Sequence, residues 1–305
     1  MIKIPPYLQP GDIIGVLCPA GYMAIERVTS CIVTLEQWGF LVEIGATVGA
    51  QHNYFSGTDE ERLQDVQSML DNPRIKAILC ARGGYGISRI IDKIDFSRFV
   101  KHPKWIIGFS DVTVLHSHIF TQYGIATMHA PMAAAFNDGG SENEYVQSVL
   151  SCITGQPANY TCTAHRFNKT GVAKATLVGG NLSLLAHLVG TASDINTAGK
   201  ILFIEDIGEY IYNVDRMLVQ LKRSGKLDKL AGLIVGGFTD MNDTTIPFGR
   251  DVLTVICEQV APYSYPVCFD FPVSHGNQNF ALKVGCTYTL DVALQDVRLT
   301  EAALS

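Results

Sequence analysis

The chain has 305 residues, 47% of them apolar and 17% charged, with a formal net charge of −6. This is the composition of an ordinary soluble globular protein, long enough for two domains. The negative balance argues against a surface for nucleic acid or for an anionic membrane, since either needs clustered basic residues.

The opening MIKIPPYLQPGDIIGV has no basic stretch followed by an apolar run, so no secretory signal is expected. No apolar segment reaches the roughly 18 residues of a membrane span. Eight cysteines (Cys18, Cys31, Cys80, Cys152, Cys162, Cys257, Cys268, Cys286) are scattered without a CxxC pair. Buried free thiols are expected in preference to a disulfide framework or a zinc site. A cytoplasmic protein is the resulting expectation.

Short apolar runs alternate with amphipathic segments through the first half. Asp12 to Cys18 reads as a buried strand, and Ala24 to Trp38 has helical periodicity that Gly39 would stop. Phe40 to Ile44 is a second strand. Thr58 begins a capped helix, TDEERLQDVQSMLDN, with acids in its first turn where the helix dipole favours them. Ile75 to Cys80 and Trp105 to Phe109 are further strands. Such alternation predicts a parallel sheet with helices on both faces. Between about Ser151 and Val172 the pattern breaks into a polar passage, read as a connector or edge strand. ATLVGGNLSLLAHLVG, the strand ILFIED, a helix from about Tyr212 to Ser224 and the strand AGLIVGGF follow. The chain closes on strand-like CTYTLDVALQDVRLT.

Four segments could carry chemistry. In KWIIGFSDVTVLHSHIF an apolar strand runs through Gly108 to Ser110 and Asp111 and then into a helix. A serine on such a strand-to-helix turn resembles a nucleophile elbow, with its hydroxyl beside free helical N–H groups. The alternative is that Ser110 or Asp111 only caps the helix. The GxSxG pattern is incomplete, because Val112 stands where its second glycine would be. His116 and His118 lie on the helix that follows, two apart and so on different sides, while His129 is a candidate to line the same cleft.

ARGGYGISRIID follows the IKAILC strand and matches neither GxGxxG nor a Walker loop. Its glycines could offer a backbone N–H to an oxyanion or form a plain tight turn. In ILFIEDIGEY a strand delivers Glu205 and Asp206, with Glu209 four residues after Glu205. Paired carboxylates there could bind metal, act as acid and base, or orient a histidine. In DFPVSHGNQNFAL, His275 sits in a loop between Ser274 and Gly276. No spacing of His or Cys has the form of a zinc site, so no metal is expected.

Together LQPGDIIGVLCPA, ARGGYG, GFSD, ATLVGGNLSLL, FIEDIGE and PVSHG resemble the serine-peptidase family of LD-carboxypeptidases and microcin C self-immunity peptidases, in order and over nearly the whole chain. The resemblance implies an α/β protein. Residues 1–160 would form a flavodoxin-like or Rossmann-like parallel-sheet domain carrying the nucleophile, and residues 161–305 a swivelling β/α domain carrying Glu and His. It implies a triad of Ser110, Glu205 and His275, an oxyanion hole of the Gly84 and Asp111 backbone N–H groups, no cofactor, and a homodimer.

The family's carboxypeptidase branch releases terminal D-alanine from murein tetrapeptide after meso-diaminopimelate, in peptidoglycan recycling. Its immunity branch cleaves microcin C and related aminoacyl adenylates. Glu209 falls one turn after Glu205 if that segment is helical, and its carboxylate would then suit the free ammonium of diaminopimelate. Trp38 and Trp105, the only tryptophans, both precede the linker, which leans away from nucleotide stacking. Asn181, in GGNL, is a candidate substrate contact, or else a turn residue beside two glycines.

Overall fold

The computed structural model describes residues 2–302 and divides into two compact units. The first is Met1–Gln156 with Phe280–Lys283, and the second Pro157–Asn279 with Val284–Ser305. The division is therefore not at one point in the chain, because a late segment returns to complete the first unit.

In the first unit, β1 (Ile13–Leu17), β2 (Leu41–Ile44), β3 (Ile75–Cys80), β4 (Trp105–Gly108) and β5 (Thr127–His129) pair in parallel in the order β2-β1-β3-β4-β5. This is the flavodoxin-type order, and a strand at Leu282–Val284 extends the sheet beyond β5. The inner strands are apolar almost throughout and β4 is buried at all four positions, as a sheet covered on both faces requires. Strand order reverses between β1 and β3, where open α/β sheets place their ligands. There the Ala81 N–H donates to the Leu17 carbonyl at 2.8 Å, and the loops beyond are joined by Gly21 N–H to the Gly83 carbonyl at 3.0 Å.

The helix expected over Ala24–Trp38 is broken into a short 3₁₀ turn at Ile25–Arg27 and α1 (Thr29–Gln37). The cause is local competition: the Asn137 amide donates to the Arg27 carbonyl at 2.9 Å, an acceptor that a continuous helix would use. The capped helix forms as read. In α2 (Asp59–Asp71) the Thr58 hydroxyl accepts from Glu61 N–H and the Glu61 carboxylate accepts from Thr58 N–H. The unit is completed by α3 (Ser97–Lys101), α4 (Thr113–Tyr123) and α5 (Glu144–Ile153).

The second unit holds β6 (Asn159–Thr163), β7 (Gly171–Asn181), β8 (Ile201–Ile207), β9 (Gly232–Thr239), β10 (Val267–Cys268), β12 (Thr287–Val292) and β13 (Asp296–Glu301), where β11 is the Leu282–Val284 strand of the first sheet. Their order is β10-β9-β8-β7-β12-β13-β6. The run β7 to β10 is parallel, while β12, β13 and β6 add antiparallel. Helices α6 (Leu182–His187), α7 (Ile211–Arg223) and α8 (Val252–Val260) make the parallel crossovers.

The polar passage near Ser151–Val172 supplies β6, whose exposure alternates along its length. The closing strand-like stretch is in fact a hairpin. Tyr288, Leu290, Val292, Val297 and Leu299 are all buried, whereas Leu294 is 88% exposed at the turn. That apolar turn residue makes two strands read as one. All eight cysteines are free thiols. Among the described residues no helix is long and apolar enough to cross a membrane.

Candidate active site

In the first unit β4 ends at Gly108, Phe109 is extended, and Ser110 has φ 64° before a 3₁₀ turn leads into α4. Few non-glycine residues take a positive φ, and holding one there costs about 1–3 kcal/mol that the surroundings must offset. Such strain marks serines presented on a sharp strand-to-helix turn. No side chain caps this helix start. Asp111 instead points away, its Oδ2 accepting from the Ile87 N–H at 2.9 Å.

Gly108 has φ 153°, and a Cβ there would lie 2.9 Å from a Val112 methyl and 3.1 Å from the Cys80 Cβ. Val112 therefore fills the space that Gly108 leaves, which accounts for a valine in place of the second glycine of the pattern. The Gly108 carbonyl is held from α4 by His116 Nε2 at 2.8 Å. Burial pushes the His116 pKa down to about 4, so the ring is neutral and Nε2 carries the donated proton. His129 is fully buried, its ring 5.6 Å from that of Phe109.

The glycine loop lies against this turn. A Cβ on Gly83 would sit 2.9 Å from Ser110 Cβ, 3.1 Å from its Oγ and 3.3 Å from the Asp111 nitrogen. Only a glycine lets the loop come this close. Gly84, with φ 99°, abuts the Tyr54 hydroxyl instead, which would lie 2.8 Å from a Cβ at that position. The loop is anchored by fully buried Arg62, whose Nη1 donates to the Pro19 and Gly86 carbonyls at 2.8 and 3.0 Å and whose Nη2 pairs with Asp59. Asp111 is also fully buried. Burial drives its pKa up to about 6, against the pull of the Ile87 and Gly86 amides and of Arg62.

In the second unit β8 delivers Glu205 and Asp206 to opposite faces, as successive strand residues must be. Glu205 is fully buried, and its Oε2 lies 2.6 Å from His275 Nδ1. A carboxylate can only accept, so Nδ1 carries the proton and Nε2 is the basic nitrogen. Among the described residues Glu205 Oε1 has no hydrogen-bond partner.

The backbone makes this pairing possible through a bulge. Ile204 pairs with Val235 but Asp206 with Phe238, so Gly236 and Gly237 together oppose Glu205. A Cβ on Gly236 would lie 2.2 Å from the Val273 carbonyl oxygen, and one on Gly237 2.5 Å from Ser274 Cβ. The histidine loop docks into that clearance, with Gly237 N–H donating to Val273 O at 2.9 Å. Ser274 Oγ then shapes the turn, donating to Gln278 O at 2.8 Å and accepting from Gly276 N–H at 3.0 Å.

On the other face Asp206 accepts from the Asn181 amide at 2.8 Å and from Ser183 and Ile207 N–H at 2.9 Å each. Burial first, and the charge of Glu205 second, raise its pKa to about 6. Asn181 Oδ1 accepts from Leu184 N–H and Ser183 Oγ, which makes it the N-cap of α6. Glu209 does not lie one helical turn after Glu205. Extended pairing continues through Ile207 opposite Thr239, Gly208 turns the chain at φ 72°, and α7 starts only at Ile211. The Glu209 carboxylate accepts from the Asn213 amide at 3.0 Å.

Gly83, Gly236 and Gly237 as docking clearances, and His116, Arg62 and Asp206 as supports, were not singled out for these roles from the sequence. The doubled glycines of RGGYG and IVGGF were the available signal.

Family models describe the same chain. Residues 14–130 match the LD-carboxypeptidase N-terminal domain and residues 174–290 the LD-carboxypeptidase C-terminal domain. The chain belongs to the LD-carboxypeptidase family, a family of serine-type peptide hydrolases. It is 36% identical to a probable murein peptide carboxypeptidase of Bacillus subtilis (strain 168), over 99% of this chain and 95% of the relative. The crystal structure of muramoyltetrapeptide carboxypeptidase from Oxalobacter formigenes superposes with a TM-score of 0.85 at 29% identity, covering 95% of this chain and 99% of that one. Microcin C7 self immunity protein MccF in complex with aspartyl sulfamoyl adenosine superposes at 0.87 with 25% identity, over 100% of both chains.

Proposed function

We propose that this protein is a serine carboxypeptidase that releases terminal D-alanine from murein tetrapeptide at the bond after meso-diaminopimelate, in cytoplasmic peptidoglycan recycling. Ser110 is the nucleophile, His275 its general base and Glu205 the group that holds the imidazole tautomer. The observation that carries this reading is the 2.6 Å pairing of His275 Nδ1 with buried Glu205, which leaves Nε2 as the basic nitrogen. Ser110, raised on its strained turn, is the matching nucleophile.

His275 takes the hydroxyl proton as Ser110 attacks the scissile carbonyl, and returns it to the leaving amine as that bond breaks. Water, activated by the same histidine, then hydrolyses the acyl-enzyme. Backbone N–H groups of Gly84 and Asp111 meet the oxyanion, and the close approach of Gly83 to Ser110 supports a role for this loop. Glu209 is proposed to meet the diaminopimelate ammonium. Asn181 is proposed as a second substrate contact, with its oxygen already engaged as a cap.

The test is D-alanine release from purified murein tetrapeptide by the wild-type protein and by Ser110→Ala. Release by wild type alone upholds the reading, and release by neither overturns it. Likeness to the MccF complex supports a second reading, hydrolysis of aminoacyl adenylates, which the same pair of proteins tests with such a substrate. A homodimer is also proposed, and light scattering on the purified protein measures it.

A further inference from the structure

An exopeptidase has to recognise the free chain end of its substrate, and the residues described so far supply no cation for a terminal carboxylate. Arg82 is exposed and directly precedes Gly83, the residue whose backbone abuts Ser110. Its side chain lies across Gly21, with Cγ and Nε 3.6 and 3.8 Å from where a Cβ on that glycine would be. Gly21 in turn donates to the Gly83 carbonyl, so the guanidinium stem is carried by the pair of loops that flanks the nucleophile. Two other arginines close to this loop, Arg62 and Arg89, are both paired with Asp59. Arg82 pairs with no carboxylate among the described residues.

We propose that Arg82, an unpaired guanidinium one residue from the glycine that packs on Ser110, binds the free α-carboxylate of the leaving residue and so restricts cleavage to the chain terminus. A guanidinium suits this task because its planar fork meets a carboxylate with two parallel hydrogen bonds. It is a specificity residue, separate from the proton transfers. The inference rests on reading Ser110 as the nucleophile of a carboxypeptidase.

The test compares a tetrapeptide ending in D-alanine with the same peptide ending in D-alaninamide, using wild type, Arg82→Gln and Arg82→Lys. Losing a charge-assisted contact costs on the order of 100-fold in kcat/KM, so wild type should prefer the acid by about that factor. Arg82→Gln should reduce the preference below about 5-fold, with Arg82→Lys between the two. A wild-type preference retained by Arg82→Gln overturns the inference, as does a wild type that cleaves acid and amide equally.

Labelling of Ser110 by a fluorophosphonate shows that each variant still presents its nucleophile. D-alanine, but not D-alaninamide, should slow that labelling in wild type and fail to do so in Arg82→Gln. If wild-type Ser110 is neither labelled nor active on either peptide, the carboxypeptidase reading falls and takes this inference with it. If Ser110 is labelled and D-alanine protects both proteins equally, only the assignment of Arg82 falls.

Discussion

The two units prepare the groups proposed for the chemistry by different means. In the first, Ser110 is held at φ 64°, Gly83 clears space against it and Gly108 makes room for Val112 on the same turn, so the backbone itself is shaped for presentation. In the second, backbone clearance at Gly236 and Gly237 serves to bring two side chains together, and the result is an ion-pair-like contact of 2.6 Å. A nucleophile must stay accessible, so it cannot be buried in partners and is positioned from below. An orienting carboxylate has no such need and can be sealed in a dry site, where its contact with the imidazole is strongest.

The largest effect expected from breaking this comparison is at the second unit's pair. Glu205→Gln keeps the shape of the side chain but offers an amide to Nδ1, so the imidazole loses its enforced tautomer. By analogy with other triads kcat should fall about 10⁴-fold with KM changed little, measured by steady-state D-alanine release. A fall below tenfold would mean that Glu205 is not the orienter.

Next come the glycine clearances. Gly83→Ala places a methyl within 2.9–3.3 Å of Ser110 Cβ, Ser110 Oγ and the Asp111 nitrogen, and Gly237→Ala places one 2.5 Å from Ser274 Cβ. Each should lower kcat about 100-fold, because displacements near 1 Å at a reacting group cost that much. The two should differ in stability. Gly237→Ala pushes a bulge and a docked loop apart and should cost about 1–3 kcal/mol in denaturant unfolding, whereas Gly83→Ala, with its tightest contact at 2.9 Å instead of 2.5 Å, should cost less. Equal stability losses would remove the distinction between a presenting backbone and a packed one.

The elements that deliver Ser110 and Glu205 were legible because each combines an apolar run with an abrupt polar end, a pattern one strand long. The parallel sheet followed from strand and helix alternation in the same way, whereas its flavodoxin-type order was an expectation from the family resemblance, since alternation does not fix which strands are neighbours. What failed to show depends on phase or distance. Glu205 and Glu209 have helical spacing, but β8 stays extended past both Glu205 and Asp206, so the spacing meant nothing. The final hairpin was hidden by Leu294, apolar at a turn. Gly236 and Gly237 meet partners at 273 and 274, some 37 positions on, and no local window contains that contact. Asp111 looked like a backbone donor beside a serine, whereas its carboxylate also reaches back to Ile87.

A smaller effect should come from His116, which holds the turn through the Gly108 carbonyl. His116→Gln retains an N–H donor and should lower kcat only a few-fold, while His116→Ala removes it and should cost about tenfold, a ratio that a purely packing role would not produce. Because the folded pKa of about 4 is below the unfolded 6.5, the unfolded chain binds the extra proton between those values. This group alone makes the protein more stable as pH rises from 4 to 6.5.

Asp111 works in the opposite sense, and it is the finest probe of the support beneath Ser110. Its pKa is raised to about 6 from 3.8, so its contribution is fully present below pH 3.8 and is lost as pH rises through 6. A displacement of that size corresponds to at most about 3 kcal/mol. Asp111→Asn keeps an oxygen to accept the Ile87 N–H but cannot ionise, so this loss should disappear. The variant should therefore gain stability relative to wild type between pH 4 and 7, read from paired urea unfolding curves across that range. Asp206, also raised to about 6, remains in both proteins and cancels in the difference. A difference that stays flat with pH would mean that the Asp111 carboxyl ionises in the folded protein as readily as in the unfolded chain, its burial fully compensated by the Ile87 and Gly86 amides and by Arg62. The support under the nucleophile would then be a hydrogen-bonded clamp without an electrostatic cost, closer in kind to the Glu205 site than the strain at Ser110 suggests.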